Sequence, residues 1–256
     1  MSAPALFHAD AYIAGYPGHT SGPQSDITRV VIHATVSPTT VGGARSVAGY
    51  FQSAASGGLA HYVVDPGETI QCCPLDVVCW HAPPNSGSIG VELCDPQTGP
   101  GSRWTDAPHV QMLTRAAGLV AALCAKYSLP IAHINAGALL DGAHGITGHA
   151  DVSGAWHQSD HTDPGTDFPW AKFISLVHDA AHPEPNPWHP NRLIQIHGHP
   201  QVWQMRLRNG SELVKAPVPD PATLADLKVQ GQTLQVLIDN VANATKVAAI
   251  PVVPWQ

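Results

Sequence analysis

ITRVVIHAT, residues 27–35, decides how the rest of the chain is read. Its β-branched residues run unbroken from Val30 to Ile32, the pattern of a strand buried on both faces. The run stops at a polar residue, so the strand delivers the imidazole of His33 at its end.

Downstream, Val47, Tyr50, Phe51 and Ala54 recur at helical spacing, which predicts an amphipathic helix within 42–55. AHYVVD (60–65) and ETIQCC (68–73) flank Pro66-Gly67 and predict a hairpin. VVCWHA (77–82) and SIGVELC (88–94) are two further short strands. Asp106-Ala107-Pro108 is an N-cap followed by a first-turn proline. The helix it opens carries Val110, Leu113, Ala117, Val120, Cys124 and Tyr127 on one stripe. Gly145 to His149 reads as a short strand running into a loop, ADVSGAWHQSDHTDPGTD, and FPWAKFISLVHDAA (168–181) as a closing helix. Upstream, residues 1–26 are rich in Gly, Pro and Ser and predict an irregular arm over the core.

Strands interleaved with helices over the first 180 residues make this an α/β domain, built mostly on one sheet with packed helices. HPEPNPWHP (182–190) holds four prolines in nine residues and predicts a semi-rigid linker. Beyond it, 191–256 reads as a small β/helical appendage. RLIQIHG, QVWQMRL and SELVKA suggest a β-meander, and the chain from Pro221 a helix, with Leu227, Leu234, Val241 and Ala248 at heptad spacing. Gly231 and several Asn weaken any coiled-coil reading.

Composition narrows the function. The chain has 256 residues and 26.9 kDa, enough for one sizeable domain and an appendage. With 44% hydrophobic and 12% charged residues it can build a core and is no charged disordered chain. A net charge of −7 without a Lys/Arg cluster makes nucleic acid an unfavourable partner. The 16 His outnumber the 12 Lys and Arg, so protonation at mildly acid pH would favour anionic polymers. GLVAALCA (118–125) is too short for the ~18–20 apolar residues of a membrane span. MSAPALFHADAYIAGYPG lacks the basic and apolar regions of a signal peptide, so synthesis in a reducing cytoplasm is expected. Cys72, Cys73, Cys79, Cys94 and Cys124 are odd in number, show no C-x₂-C spacing, and are expected to be reduced and mostly buried.

Three segments carry chemistry. VVIHAT delivers His33, GITGHAD delivers His149, and HTDPG places Asp163 before a Pro-Gly turn. Taken singly, each reads more readily as a hydrogen-bonded residue at a strand end. Taken together, two imidazoles and a carboxylate are a Zn²⁺ ligand set with one position open to water, the arrangement of a metal hydrolase. Asp151, two residues after His149, rivals Asp163 for the carboxylate, but the Pro-Gly context favours Asp163.

VVIHAT, AHYVVD, WHAPPN, SIGVEL, TGHADV and HTDPGTDFPW, in that order, resemble the type 2 N-acetylmuramoyl-L-alanine amidases, a zinc family that includes the peptidoglycan recognition proteins. The resemblance covers about residues 25–180. AWHQSDHTDPG looks most like endolysins of phages that infect actinobacteria. The family implies a central mixed β-sheet with flanking helices and a shallow zinc-bearing groove.

What the resemblance implies for single residues is specific. His33, His149 and Asp163 would be the zinc ligands. Glu92 matches the carboxylate used as general base, and burial on an apolar strand would raise its pKa towards the working pH; its alternative is a solvent-facing edge residue. Many members have Lys two residues before the third ligand, where a cation stabilises the oxyanion; here that position is His161. The tyrosine that other members place before the His of the AHY segment is Ala60. His61 and His81 would line the groove or orient a ligand, and Trp80 and Asn85 would contact sugar or stem peptide; a packing or loop role is the alternative for all four. His157 and Asp160 would support the third ligand.

The implied substrate is bacterial peptidoglycan, cut between N-acetylmuramic acid and L-alanine, with the wall reached after release from a host cell. A peptidoglycan-binding module without activity and a cytoplasmic muropeptide-recycling amidase are the alternatives.

Overall fold

The computed structural model describes residues 6–181 and, beyond them, the strands at 193–196, 202–208, 212–217 and 234–237. The chain divides into two compact units, Met1–His182 and Pro183–Gln256. The expected linker at 182–190 lies outside the described residues.

The strand read from ITRVVIHAT forms as Arg29–Ala34, with every residue buried. In chain order the strands of the first unit are β1 (Ala11–Tyr12), β2 (Thr20–Pro23), β3 (Arg29–Ala34), β4 (Tyr62–Val64), β5 (Thr69–Gln71), β6 (Val77–Cys79), β7 (Ser88–Leu93) and β8 (Gly145–Gly148). Six of them make one mixed sheet in the order β1-β5-β4-β7-β3-β8. β3 runs parallel to both β7 and β8, and β4 is parallel to β7 but antiparallel to β5. The β4–β5 hairpin turns where expected, because Asp65 Oδ1 accepts from the backbone N–H groups of Gly67 and Glu68.

The helices are α1 (Gly43–Phe51), α2 (Ala107–Tyr127), α3 (Ala136–Leu140), α4 (His149–Trp156) and α5 (Trp170–Ala181). Asp106 caps α2, its Oδ1 accepting from His109 N–H at 3.0 Å, a cap worth about 1 kcal/mol. One face of the sheet, with Val30, Ile32, Ile89 and Val91, packs in the main core with Met112, Leu113 and Leu123 of α2 and Phe173 of α5. Each such side chain, fully buried, contributes roughly 1.5–3 kcal/mol. α2 buries Met112, Ala116, Leu119 and Leu123 beside its expected stripe, since α5 packs on it as well. The opposite face of β3 meets α3 and α4 through a smaller cluster of Val31, Leu139, Val152 and Ala155.

Two local expectations change in this unit. The loop expected after His149 begins with α4, whose first residue is His149 itself. Ser153 and Gly154 are weak helix formers, but the backbone N–H of Ala150 donates to the Asp163 carbonyl at 2.8 Å, tying the helix start to the HTDPG turn. Part of the irregular arm forms strands: β1 joins the edge of the sheet beside β5, and β2 pairs with β6 in a separate two-stranded sheet.

In the second unit β9 (Leu193–Ile196), β10 (Val202–Arg208) and β11 (Glu212–Pro217) form an antiparallel meander. The helix expected from Pro221 is overturned at Leu234, which starts β12 (Leu234–Leu237), a strand parallel to β9. An open edge of backbone donors and acceptors on β9 outweighs a weak heptad pattern. Leu227, Val241 and Ala248 lie outside the described residues. Among the described residues no helix is long and apolar enough to cross a membrane. All five cysteines are free and buried.

Candidate metal centre and groove

The C-terminal ends of three adjacent parallel strands create the site. β3 carries His33 one residue before its end, β7 carries Glu92 directly opposite it in register, and β8 hands over to His149. Such strand ends are where open α/β sheets gather their functional groups. Asp163 arrives on the turn held by Ala150. Gly148 permits that approach, since a Cβ there would lie 2.9 Å from Pro164 Cδ.

His33 Nδ1 lies 2.9 Å from Asp163 Oδ2, and His149 Nδ1 lies 3.3 Å from Asp163 Oδ1. One ligand atom from each of the three residues falls within 4.8 Å of the others, and all three residues are buried. His149 Nδ1 is buried without a hydrogen bond, and so is Glu92 Oε2. Such orphans are costly unless something else completes them. Two imidazole nitrogens, a carboxylate and an unsatisfied donor atom fit a divalent metal with an open position. His149 Nε2 is held by Ser159 Oγ at 3.1 Å, and Ser159 in turn by Ser153 Oγ at 2.6 Å.

The electrostatics follow from burial and pairing. Burial disfavours charge on Asp163, but the His149 and His33 imidazoles beside it outweigh that and hold the carboxyl well below the usual range. Burial likewise opposes charge on His33, yet Glu92 and Asp163 raise its pKa. Burial lowers that of His149. Glu92, with Oε1 4.0 Å from His33 Nδ1, is pushed up to about 7 by burial, against the pull of His33. A buried carboxyl poised near neutrality is suited to taking and returning a proton.

His161 stacks on His149 with ring centroids 4.4 Å apart and its Nδ1 3.5 Å from Asp163 Oδ1. It is exposed, and lines a groove of about 880 Å³ that also contains His33, Glu92, His149 and Asp163. Val47, Tyr50, Phe51, Leu59 and Trp80 form its apolar part.

The remaining candidates separate. Trp80 is exposed on the groove, its indole N–H donating to Ser21 Oγ. His81 touches His33, its Nδ1 3.0 Å from His33 Nε2. Asn85 lies at the groove, but its Oδ1 is occupied by the backbone N–H groups of His81 and Ala82. His61 is fully buried; its Nδ1 accepts from Gly90 N–H and its Nε2 donates to the Val77 carbonyl, so no atom is left for substrate. Asp151 is spent elsewhere, on the Gly148 N–H and on His133 Nε2 at 3.0 Å. His157 ends α4 in the left-handed conformation. Asp160 makes no hydrogen bond or ion pair with the described residues around it.

A second grouping, His61 with Cys73 and Cys79, also places ligand atoms within 4.8 Å. Both His61 nitrogens are committed, as above, and burial raises the Cys79 thiol far above its ordinary pKa. This cluster belongs to the packed core. Ser159, Ser88 and Tyr50 were not singled out in the sequence, since nothing local to a serine or an apolar helix stripe marks it as a neighbour of a site.

The chain is 31% identical over 127 residues to 1,6-anhydro-N-acetylmuramyl-L-alanine amidase AmpD of Citrobacter freundii, a match over 46% of this chain and 56% of that protein. The chain thus spans about half the length of the curated relative it matches. The fold is also that of the Staphylococcus aureus hydrolase AmiA, at 21% identity and a TM-score of 0.50, over 71% of this chain and 85% of that one. The family described as N-acetylmuramoyl-L-alanine amidase matches residues 23–166, more than half of the sequence, and with it the chain belongs to the N-acetylmuramoyl-L-alanine amidase family.

Proposed function

We propose that the protein hydrolyses the amide between the lactyl group of N-acetylmuramic acid and L-alanine in bacterial peptidoglycan, with Zn²⁺ held by His33, His149 and Asp163. The observation that carries this is the meeting of those three residues with Glu92 at one end of an open groove. When bound, the metal supplies Lewis-acid chemistry, polarising the scissile carbonyl and acidifying water towards a pKa of ~7.

The protein's own groups do the rest. Glu92 takes a proton from water as its oxygen bonds to the carbonyl carbon, and returns that proton to the alanine nitrogen as the C–N bond breaks. His161, exposed beside the triad, stabilises the negative oxygen by donating an N–H. The apolar walls with Trp80 and Tyr50 receive sugar and stem-peptide surface.

Within this activity we favour a wall-lytic enzyme of the phage endolysin kind. An open groove suits a polymeric substrate, and a second unit, Pro183–Gln256, is available to hold the enzyme on an insoluble wall. The other reading, a recycling enzyme for soluble muropeptides, draws on the AmpD match. Release of new N-terminal alanine from intact sacculi and from soluble anhydromuropeptides, compared at equal bond concentration, tests the choice. Faster cleavage of sacculi supports the lytic role; cleavage of soluble fragments alone overturns it.

A further inference from the structure

An imidazole binds a metal only through a nitrogen without a proton, and a neutral ring carries its proton on either of the two. His33 turns Nδ1 towards Asp163, and its Nε2 lies 3.0 Å from His81 Nδ1. The chain continues. His81 Nε2 lies 3.0 Å from Ser88 Oγ, and Ser88 Oγ lies 2.6 Å from the Asn85 carbonyl oxygen.

The last contact fixes the direction of the others. A carbonyl has no proton to give, so the Ser88 hydroxyl donates to it. Ser88 Oγ then accepts from His81 Nε2–H. A neutral His81 so bonded presents a bare Nδ1, which accepts from His33 Nε2–H. Reversed polarity would spend the Ser88 proton on His81 and leave two oxygens facing each other at 2.6 Å with no proton between them. The relay is also held in place. Asn85 Oδ1 accepts from His81 N–H and Ala82 N–H, and the His81 ring lies against Gly90, where a Cβ would come within 2.8 Å of it.

We propose that His81, oriented by Ser88 and the Asn85 carbonyl, is a positioning residue that locks the proton of His33 on Nε2, so that Nδ1 is the nitrogen given up to the metal. This rests on the reading of His33 as a ligand. Outer-shell partners of this kind fix both the tautomer and the ring orientation of a ligating histidine. Ser88→Ala removes one oxygen and almost no volume. It frees the His81 proton to move to Nδ1, where it meets the proton on His33 Nε2.

The test is long-range ¹H–¹⁵N correlation of the imidazoles in the full-length protein, with zinc absent and with zinc bound, alongside zinc affinity by competition with a chromophoric chelator. His81 should show a protonated Nε2 and a bare, hydrogen-bonded Nδ1 in both states, and Ser88→Ala should weaken zinc binding by about 10–100-fold. A His81 protonated on Nδ1, or a Ser88→Ala variant with wild-type zinc affinity, overturns the proposal. Failure of the wild type to bind zinc overturns the ligand reading instead, because the His81 tautomer is read in the metal-free protein.

Discussion

His33 and Glu92 are register partners on adjacent parallel strands, and their side chains meet with Nδ1 4.0 Å from Oε1. The parallel pairing of β3 with β7 therefore sets the spacing between a ligand candidate and the base candidate, with no loop involved. Backbone geometry this rigid is what a proton-transfer site needs.

Replacing Glu92 by Gln keeps the shape and removes the proposed base. Turnover should fall by about 10²–10⁴-fold while zinc content stays the same. Wild-type activity should rise with pH through an inflection above the ordinary carboxylate range, because burial raises this pKa and only the ionised form acts. Stability should move the other way. A carboxyl whose folded pKa lies above its unfolded value stabilises the fold at low pH, and that stability is lost as pH rises through the folded pKa. Metal-free Glu92→Gln, always neutral, should therefore be more stable than the wild type above pH ~7, by on the order of 2 kcal/mol. Urea titrations at two pH values measure it.

Asp163→Ala removes one proposed ligand and the partner of both imidazoles. Zinc affinity should fall by more than the ~10–100-fold typical of outer-shell changes. Asp151→Ala, at the rival carboxylate, should keep full zinc stoichiometry, since Asp151 bonds Gly148 N–H and His133 instead. Metal analysis after dialysis distinguishes the two.

Gly90→Ala should cost about 1–3 kcal/mol, the usual range for overpacking, and should weaken zinc binding by displacing His81, whose ring lies 2.8 Å from the new Cβ. Gly118→Ala in α2 meets open space and should instead stabilise by roughly 0.4–1 kcal/mol. Thermal melts and zinc titrations on both variants check the contrast.

His61 gives the fold an acid limit. Burial depresses its pKa to about 4, below the ~6.5 of an unfolded histidine. The stability from keeping it neutral is complete above pH ~6.5 and is lost as pH falls from there towards the folded pKa, on the order of 3 kcal/mol in all. His61→Gln should flatten that part of the stability–pH curve; an unchanged slope between pH 6.5 and 4 would contradict the assignment.

The strands that position the site were legible in the sequence because β-branched runs ending in a polar residue have few other uses. His33 and His149 follow from that pattern, and Glu92 from its place between Val91 and Leu93. The preference for Asp163 over Asp151 rests on the Pro-Gly turn after Asp163; the structure adds that Asp151 is engaged at the start of α4. α4 itself was hidden, since Ser153 and Gly154 argue against a helix that is fixed by the turn at Asp163. The Ser88–His81–His33 relay is invisible in one dimension, as it needs Asn85 to fold the 81–88 loop back on β7. Leu234 misled because a heptad position and a strand start look alike over four residues.

The most direct test of the central claim is product analysis of purified sacculi incubated with the protein, with chelator and with zinc restored. New L-alanine amino termini without new reducing sugars, lost on chelation and regained with zinc, are the predicted result. New reducing ends without free alanine amino groups, or amide cleavage that persists after verified removal of the metal, would contradict it.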